Sequence, residues 1–386
     1  GNSNGASGTG ILYVNYDHFA HDVNQGDHVL IDDGEISMVV IGKEKDSLLC
    51  KIENSGTIKP RKGVNVPNVK LNLPVISSKD KDFIEFAIQN KLDFIAHSFV
   101  QHADDIKQIR AILHKRSNLK IIAKIENQTG VDNIDEIIEE ADGIMVARGD
   151  LGIEIPAEQI PVIQRELVSK CIEHNKTVII ATQMLHSMIN NPRPTRAEVN
   201  DVATAVYEQA DALMLSGETA NGSYPIEAVT IMAKVIHEVE KAMAEHVVIS
   251  DPLHDDVLSV LAHSAVFACN NLPVKAIIVD TVSGRTANFL SGYRGKVPIF
   301  AFCYNEYSMR QLALTYGVKS FISEPNNSRD KFIHTTVLLL IQQKIIECED
   351  MVVVVGGSFG KENGASFMEI STVQKLIERG KEIQKD

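Results

Sequence analysis

Residues 120–125 read KIIAKI and residues 143–147 read GIMVA. Each is a nearly continuous apolar run of about five residues, with none of the alternation of a sheet that has one wet face. That is the pattern of parallel strands covered on both sides. Working outward, the same kind of run occurs at 93–99 (DFIAHSF), 177–181 (TVIIA) and 211–215 (DALML). Between them lie helical stretches at 104–114, 134–140, 160–174 and 195–209, and a longer one over 225–248. Repeated strand–helix units of this kind predict an α/β barrel or a doubly wound sheet. One helix start is well specified. Thr195 can cap and Glu198 three residues later can close a capping box, while Val199, Val202, Ala203 and Val206 supply one apolar stripe. Asn200 and Asp201 fall off that stripe.

The flanks differ from this middle. The first ten residues, GNSNGASGTG, read as a loop, a linker or an expression scar. Residues 11–72 read as a small all-β module, with short apolar runs separated by Gly, Asp and Asn and a hairpin signal at Asp33-Gly34. The partial barrel is expected over 73–248 and a further α/β domain over 249–386, with the boundary near Ser250. In that last unit, strands are predicted at 276–279, 298–302, 318–322 and 351–355. Helices are predicted at 255–269, 307–316, 329–346 and 370–378.

The chain has 386 residues, with 38 Lys plus Arg against 51 Asp plus Glu, a formal net charge of −13. An excess of acid counts against non-specific binding to nucleic acid or an anionic membrane, because both depend on excess Lys and Arg. No apolar run approaches the roughly 20 residues of a membrane helix, and the opening decapeptide lacks the basic start and apolar core of a secretory leader. The five cysteines (50, 171, 269, 303 and 348) are far apart and none forms CxxC. The expectation is buried thiols in a reducing cytoplasm, with no disulfide scaffold or zinc-thiolate site.

In a barrel, function sits where the strands exit at their C-terminal ends. Those exits read Ser98 and Phe99, Lys124 and Glu126, Arg148 and Asp150, Thr182 and Gln183, Ser216 and Glu218. Lys124 and Glu126 are two apart, so continued extension would point both to one side. Arg148 and Asp150 have the same spacing. Glu126 and Asp150 could offer oxygens to one Mg²⁺ or Mn²⁺, and Lys124 could face an enolate oxygen or a moving phosphoryl group. A surface ion pair followed by a glycine turn is the competing reading. Gly149 and Gly152 would let backbone N–H groups approach an anion. The Thr182 hydroxyl could exchange a proton with a substrate carbon, hold a carboxylate, or simply cap. The 216–219 loop (SGET) could receive phosphate at its amides, and the histidines show no metal spacing. Farther on, Thr281-Val282-Ser283-Gly284-Arg285-Thr286 follows a strand and opens a helix. It reads as an anion nest or as a structural loop, and GGSFG at 356–360 makes a second glycine loop.

The same residues carry a resemblance. IIAKIEN (121–127), IMVARGDLGIEIP (144–156), ATQML (181–185), NPRPTRAEVNDVA (191–203) and LMLSGETANGSYPIEA (213–228) resemble the pyruvate kinase family, as do VNYDHF, GDHVLIDDG and LNLPVISSKD nearer the start. The resemblance implies a (β/α)₈ TIM barrel of which this chain holds strands four to eight, with an inserted β domain and a C-terminal regulatory α/β domain. It implies phosphoryl transfer from phosphoenolpyruvate to ADP, giving pyruvate and ATP, the last step of glycolysis. Lys124 would stabilise the transferring phosphoryl and the enolate. Glu126 and Asp150 would hold the divalent metal, the amides of Gly149 and Asp150 the substrate carboxylate, and Thr182 would sit where the enolate carbon is protonated. Mg²⁺ and K⁺ are the implied cofactors and a homotetramer the implied assembly. The loop bearing Thr281, Ser283, Gly284, Arg285 and Thr286 would receive the phosphate of an allosteric effector. The family's first three barrel strands, with part of its phosphate clamp, have no counterpart here. The expectation is a fragment of a longer protein, inactive alone and with two open parallel edges. The alternatives are a metal-dependent 2-oxo-acid lyase or aldolase, and a catalytically incomplete regulatory or structural relative.

Overall fold

The computed structural model describes residues 10–383 except 33, 59, 68, 70, 72–73, 114–116, 244–255, 326–327 and 358–363. Three sheets are built in chain order. The first contains β1 (His28–Ile31), β2 (Ile36–Lys43), β3 (Leu48–Ile52) and β4 (Val64–Asn65), in spatial order β3-β2-β1-β4 and antiparallel throughout. Val29, Ile31, Ile36, Met38 and Val40 alternate inward onto Phe19, Val23 and Val66, and the other face is wet. The β1–β2 turn falls where the hairpin signal stands. Ile31 faces Ile36, and Gly34 has φ +85°, which an L side chain rarely adopts. Asp33 lies outside the described residues.

The second sheet contains β5 (Phe94–His97), β6 (Lys120–Ile125), β7 (Gly143–Ala147), β8 (Thr177–Ala181) and β9 (Ala212–Leu213), all parallel. Their spatial order equals their chain order. A doubly wound sheet reverses direction at a switch point; unbroken succession is a sector of a barrel. Alternate residues serve two cores, which is why the runs are continuously apolar. Ile121, Ala123 and Ile125 face the helix layer, while Ile122, Met145, Ile179 and Ala181 form an inner cluster. The helix Arg196–Tyr207 starts as its sequence predicts. Thr195 accepts from the Glu198 amide, and the Glu198 carboxylate accepts from the Thr195 amide.

The third sheet has the order β12-β11-β10-β13-β14, from β10 (Val274–Thr281), β11 (Ile299–Cys303), β12 (Val318–Ile322), β13 (Met351–Gly356) and β14 (Phe367–Thr372). Here the order does reverse, between β10 and β13, so this unit is doubly wound. One expectation fails. Residues 370–378 do not form one helix: 367–372 pair antiparallel with β13 and the helix begins only at Val373. A six-residue, half-exposed edge strand has too weak a pattern to be told from a helix start. The 307–316 helix ends early at Gln311, in a 3₁₀ turn Leu312–Leu314, and the 329–346 helix ends at Gln342. The boundary expected near Ser250 lies outside the described residues.

The C-terminal unit docks under the N-terminal ends of the barrel strands, opposite the exits that carry the candidate chemistry. Arg310 donates to Asp93 at 3.0 Å just before β5. Arg294 forms a buried, two-pronged ion pair with Asp211 just before β9, at 2.9 and 3.0 Å. Among the described residues, no helix is long and apolar enough to cross a membrane.

Candidate active site at the strand exits

Lys124 is the last inward-facing residue of β6 and Glu126 follows the strand end. The two side chains do meet on one side: Lys124 Nζ lies 2.7 Å from Glu126 Oε1. The same ammonium donates to Ser98 Oγ at 2.9 Å. The Glu126 carboxylate is 1% exposed, and its second oxygen accepts from the Phe99 amide at 2.6 Å. A buried carboxylate is tolerable only with such compensation, one charge and one amide. Phe99 has φ +55°, a strained value for a non-glycine. The strain aims its N–H at the carboxylate.

The next exit departs from the expectation. Arg148, Gly149 and Asp150 do not continue β7; a helix Arg148–Glu154 begins at once. Residues two apart on a helix point roughly 200° apart, so Arg148 and Asp150 part company. Arg148 turns into the helix layer, where its Nη1 donates to Asp201 Oδ1 at 2.7 Å and its Nη2 to the Thr182 carbonyl at 2.8 Å. Asp150 is half-buried at the exit. Gly149 approaches Thr182 so closely that a Cβ would stand 3.3 Å from the hydroxyl, and its amide donates to Thr182 Oγ1 at 2.7 Å. That amide therefore has a partner already, and a substrate carboxylate would have to displace it. Thr182 and Gln183 both take left-handed backbone, φ +68° and +58°. The Thr182 hydroxyl donates to the Ala181 carbonyl at 2.6 Å.

At the β9 exit the anion site expected at the 216–219 amides is filled from within. Glu218 is buried and accepts from the amides of Ser216 (2.8 Å) and Leu185 (3.1 Å). His97, read from sequence as ordinary, is half-buried behind this face. Burial holds its pKa below the usual imidazole range, against the pull of Asp105, Asp80 and Glu126.

In the C-terminal unit, Gly284 has φ +85° and caps the helix Arg285–Gly292. Thr281 and Thr286 are buried, and Thr281 Oγ1 accepts from the Gly284 amide at 2.9 Å. Of the five candidate residues only Ser283 and Arg285 face solvent. Arg285 lies over the Phe289 ring and 3.4 Å from Asp256. Gly356 and Gly357 of the second glycine loop are described; 358–360 lie outside. All five cysteines are unpaired. Cys171, Cys269 and Cys303 are buried, and burial pushes the thiols of Cys269 and Cys303 up to about 12.

Sequence reasoning named Arg148 and Asp201 without joining them. The only signal was negative: Asp201 lies off the apolar stripe of its helix. Nothing in the spacing says that it reaches a residue 53 positions away.

Residues 2–229 match the family pattern described as "Pyruvate kinase, barrel domain", and residues 259–371 that described as "Pyruvate kinase, alpha/beta domain". The chain belongs to the pyruvate kinase family. The pyruvate kinase of Borreliella burgdorferi is 45% identical over 371 residues, which cover 94% of this chain and 78% of the relative. That of Bacillus licheniformis is 43% identical over 383 residues, covering 96% of this chain but 65% of the relative. A crystal structure of a pyruvate kinase from Cryptosporidium parvum superposes with a TM-score of 0.84 at 40% identity, covering 93% of this chain and 75% of that one. Membership of the pyruvate kinase family carries the phosphotransferase reading, phosphoenolpyruvate and ADP to pyruvate and ATP, and leaves the lyase or aldolase alternative without support.

Proposed function

We propose that Lys124, Glu126, Asp150 and Thr182 are the part of the pyruvate kinase active site that this chain supplies. The observation that carries the reading is the Lys124–Glu126 pair at 2.7 Å, with the carboxylate buried, at the C-terminal exit of a barrel strand. A buried ion pair gives weak net stability, so a surface-pair explanation accounts poorly for it. The donor set fits a hard divalent ion, since Glu126 and Asp150 offer carboxylate oxygens. Those two residues would hold Mg²⁺ or Mn²⁺, which when bound supplies positive charge toward the substrate oxygens.

The rest is done by the chain itself. Lys124 places a fixed charge where the enolate oxygen and the leaving phosphoryl develop negative charge. The amides of Gly149 and Asp150 take the substrate carboxylate, the former after exchanging Thr182 for it. The Thr182 hydroxyl, still donating to Ala181 O, stands at the side where the enolate carbon gains its proton. K⁺ dependence, a homotetramer and a cytoplasmic location belong to the same proposal, as does assignment of the β1–β4 sheet to the inserted β domain. So does a phosphate-bearing effector at Ser283, Gly284 and Arg285 with Thr281 and Thr286 beneath. The β10/β13 switch point, where doubly wound sheets bind ligands, favours that location. The test is Lys124→Met in the intact protein, which should abolish turnover with MgADP while the protein still folds, at a lowered melting temperature because Glu126 loses its charged partner. Turnover at the original rate would end the assignment of Lys124.

A further inference from the structure

Arg148 turns away from the exit face into the helix layer, yet its guanidinium reaches back to one exit residue, Thr182. Its side chain is 10% exposed, and it donates to Asp201 Oδ1 (2.7 Å), Gln164 Oε1 (3.3 Å), the Thr182 carbonyl (2.8 Å) and Met184 Sδ (2.8 Å). Three of these partners are side chains that another rotamer could satisfy. The fourth is backbone at a strained place. Thr182 is β-branched and left-handed, followed by a second left-handed non-glycine. Such a pair persists only where its surroundings over-determine it. Two bonds do so here, and both come from consecutive residues of one helix. The Arg148 guanidinium holds the Thr182 carbonyl, and the Gly149 amide holds the Thr182 hydroxyl.

We propose that Arg148 is a positioning residue for proton delivery: it holds Thr182 in its strained backbone conformation through the carbonyl, with Asp201 fixing the guanidinium. The inference rests on the assignment of Thr182 to the protonation side of the enolate. A charged donor on a carbonyl is among the stronger hydrogen bonds, and here the two bonds leave from separate nitrogens of one planar fork, Nη1 to Asp201 and Nη2 to the carbonyl, a geometry that the single nitrogen of lysine does not reproduce. Released from Arg148, Thr182 relaxes toward ordinary β or αR backbone and its hydroxyl swings away from Gly149. Phosphoryl transfer, which depends on Lys124 and the two acids, is held by other elements and is affected less.

The test is a double-mutant cycle in the intact protein between Arg148→Lys and Thr182→Ala. It is read by exchange of the pyruvate methyl protons with deuterated solvent in the presence of MgATP, alongside KM for phosphoenolpyruvate and thermal unfolding. A displacement of about 1 Å at a reacting group costs up to about 10²-fold. Arg148→Lys should therefore slow exchange about 10- to 100-fold, with KM for phosphoenolpyruvate within about twofold. In the Thr182→Ala background the same substitution should cost less than about threefold, because residues acting through one another are non-additive. Asp201→Asn should show the same collapse with a smaller first effect, and it carries the cycle should Arg148→Lys fail to fold. An equal factor in both backgrounds, or exchange at the original rate in Arg148→Lys, would overturn the positioning role while leaving Thr182 in place. Exchange at the original rate in Thr182→Ala would remove the underlying assignment, and this proposal with it.

Discussion

The exits of β6–β8 and the exits of β10 and β13 occupy the same place in a parallel sheet and in a mixed one, and they treat their polar groups in opposite ways. In the barrel sector Lys124 is partly exposed beside a buried Glu126, so charge is presented to the outside. In the C-terminal unit Asp280 is 1% exposed and turns inward, accepting from Tyr304 Oη (3.2 Å) and the Gly357 amide (3.1 Å). Burial, with Asp280 beside it, keeps the Tyr304 phenol protonated far above its usual range. The packing is so close that a Cβ on Gly356 would stand 2.7 Å from Asp280 Oδ1. A carboxylate at a strand exit is therefore no evidence of chemistry by itself. What separates the two is whether a compensating partner is a partly exposed charge at the exit or neutral donors in the core.

Substitutions can break that contrast. The largest effect is expected at Glu126→Gln, which should lower turnover by about 10²- to 10³-fold, the scale of losing one preorganised electrostatic group, and should raise the Mg²⁺ concentration needed for half-activity. Mn²⁺ should support turnover, whereas Ca²⁺ should bind and inhibit, because its looser coordination misplaces the phosphoryl oxygens; full turnover with Ca²⁺ would contradict this. Next is Asp280→Asn. It should cost about 2 kcal/mol of stability, as expected for hydrogen bonds to a buried charge, read by denaturant unfolding. An unchanged midpoint would mean that the two exits do not differ as described.

Smaller again is Glu198→Ala, at about 1 kcal/mol for a lost capping partner. Burial disfavours the Glu198 carboxylate, but bonds from Ser187 and Thr195 outweigh it and hold its pKa below 4.5. A folded-state pKa below the unfolded one means that the unfolded chain binds more protons. The contribution is thus complete above about 4.5 and is lost as pH falls through the folded value. Glu198→Ala should flatten that acid limb in a melting series. The smallest effect is Arg285→Ala: this exposed side chain should change stability by less than about 0.5 kcal/mol, while a phosphate-bearing effector should lose its grip in a binding titration. A large loss of stability would place Arg285 among the inward-turning groups instead.

Much of this was readable in the chain. Apolar runs of about five residues located all five barrel strands to within a residue or two, and the Thr195–Glu198 pair located a helix start to the residue. Lys124 and Glu126 could be paired from their spacing because strand geometry repeats every two residues. The same inference failed at Arg148 and Asp150, since nothing in GIMVARGD says that extension stops at Ala147. The edge strand 367–372 was missed for a related reason, its alternation being too short to outweigh the helix that follows.

By itself, the amino-acid sequence determined the local periods, the caps, the covered strands and the family, because these depend on neighbours a few positions apart. Tertiary structure alone decided that the barrel sector runs in unbroken order while the C-terminal sheet reverses. It also decided that Asp201 reaches Arg148, that Arg148 reaches Thr182, and that Glu218 fills its own loop. Those outcomes turn on where separate elements come to rest against one another, and the packing of two cores, rather than any local propensity, sets that.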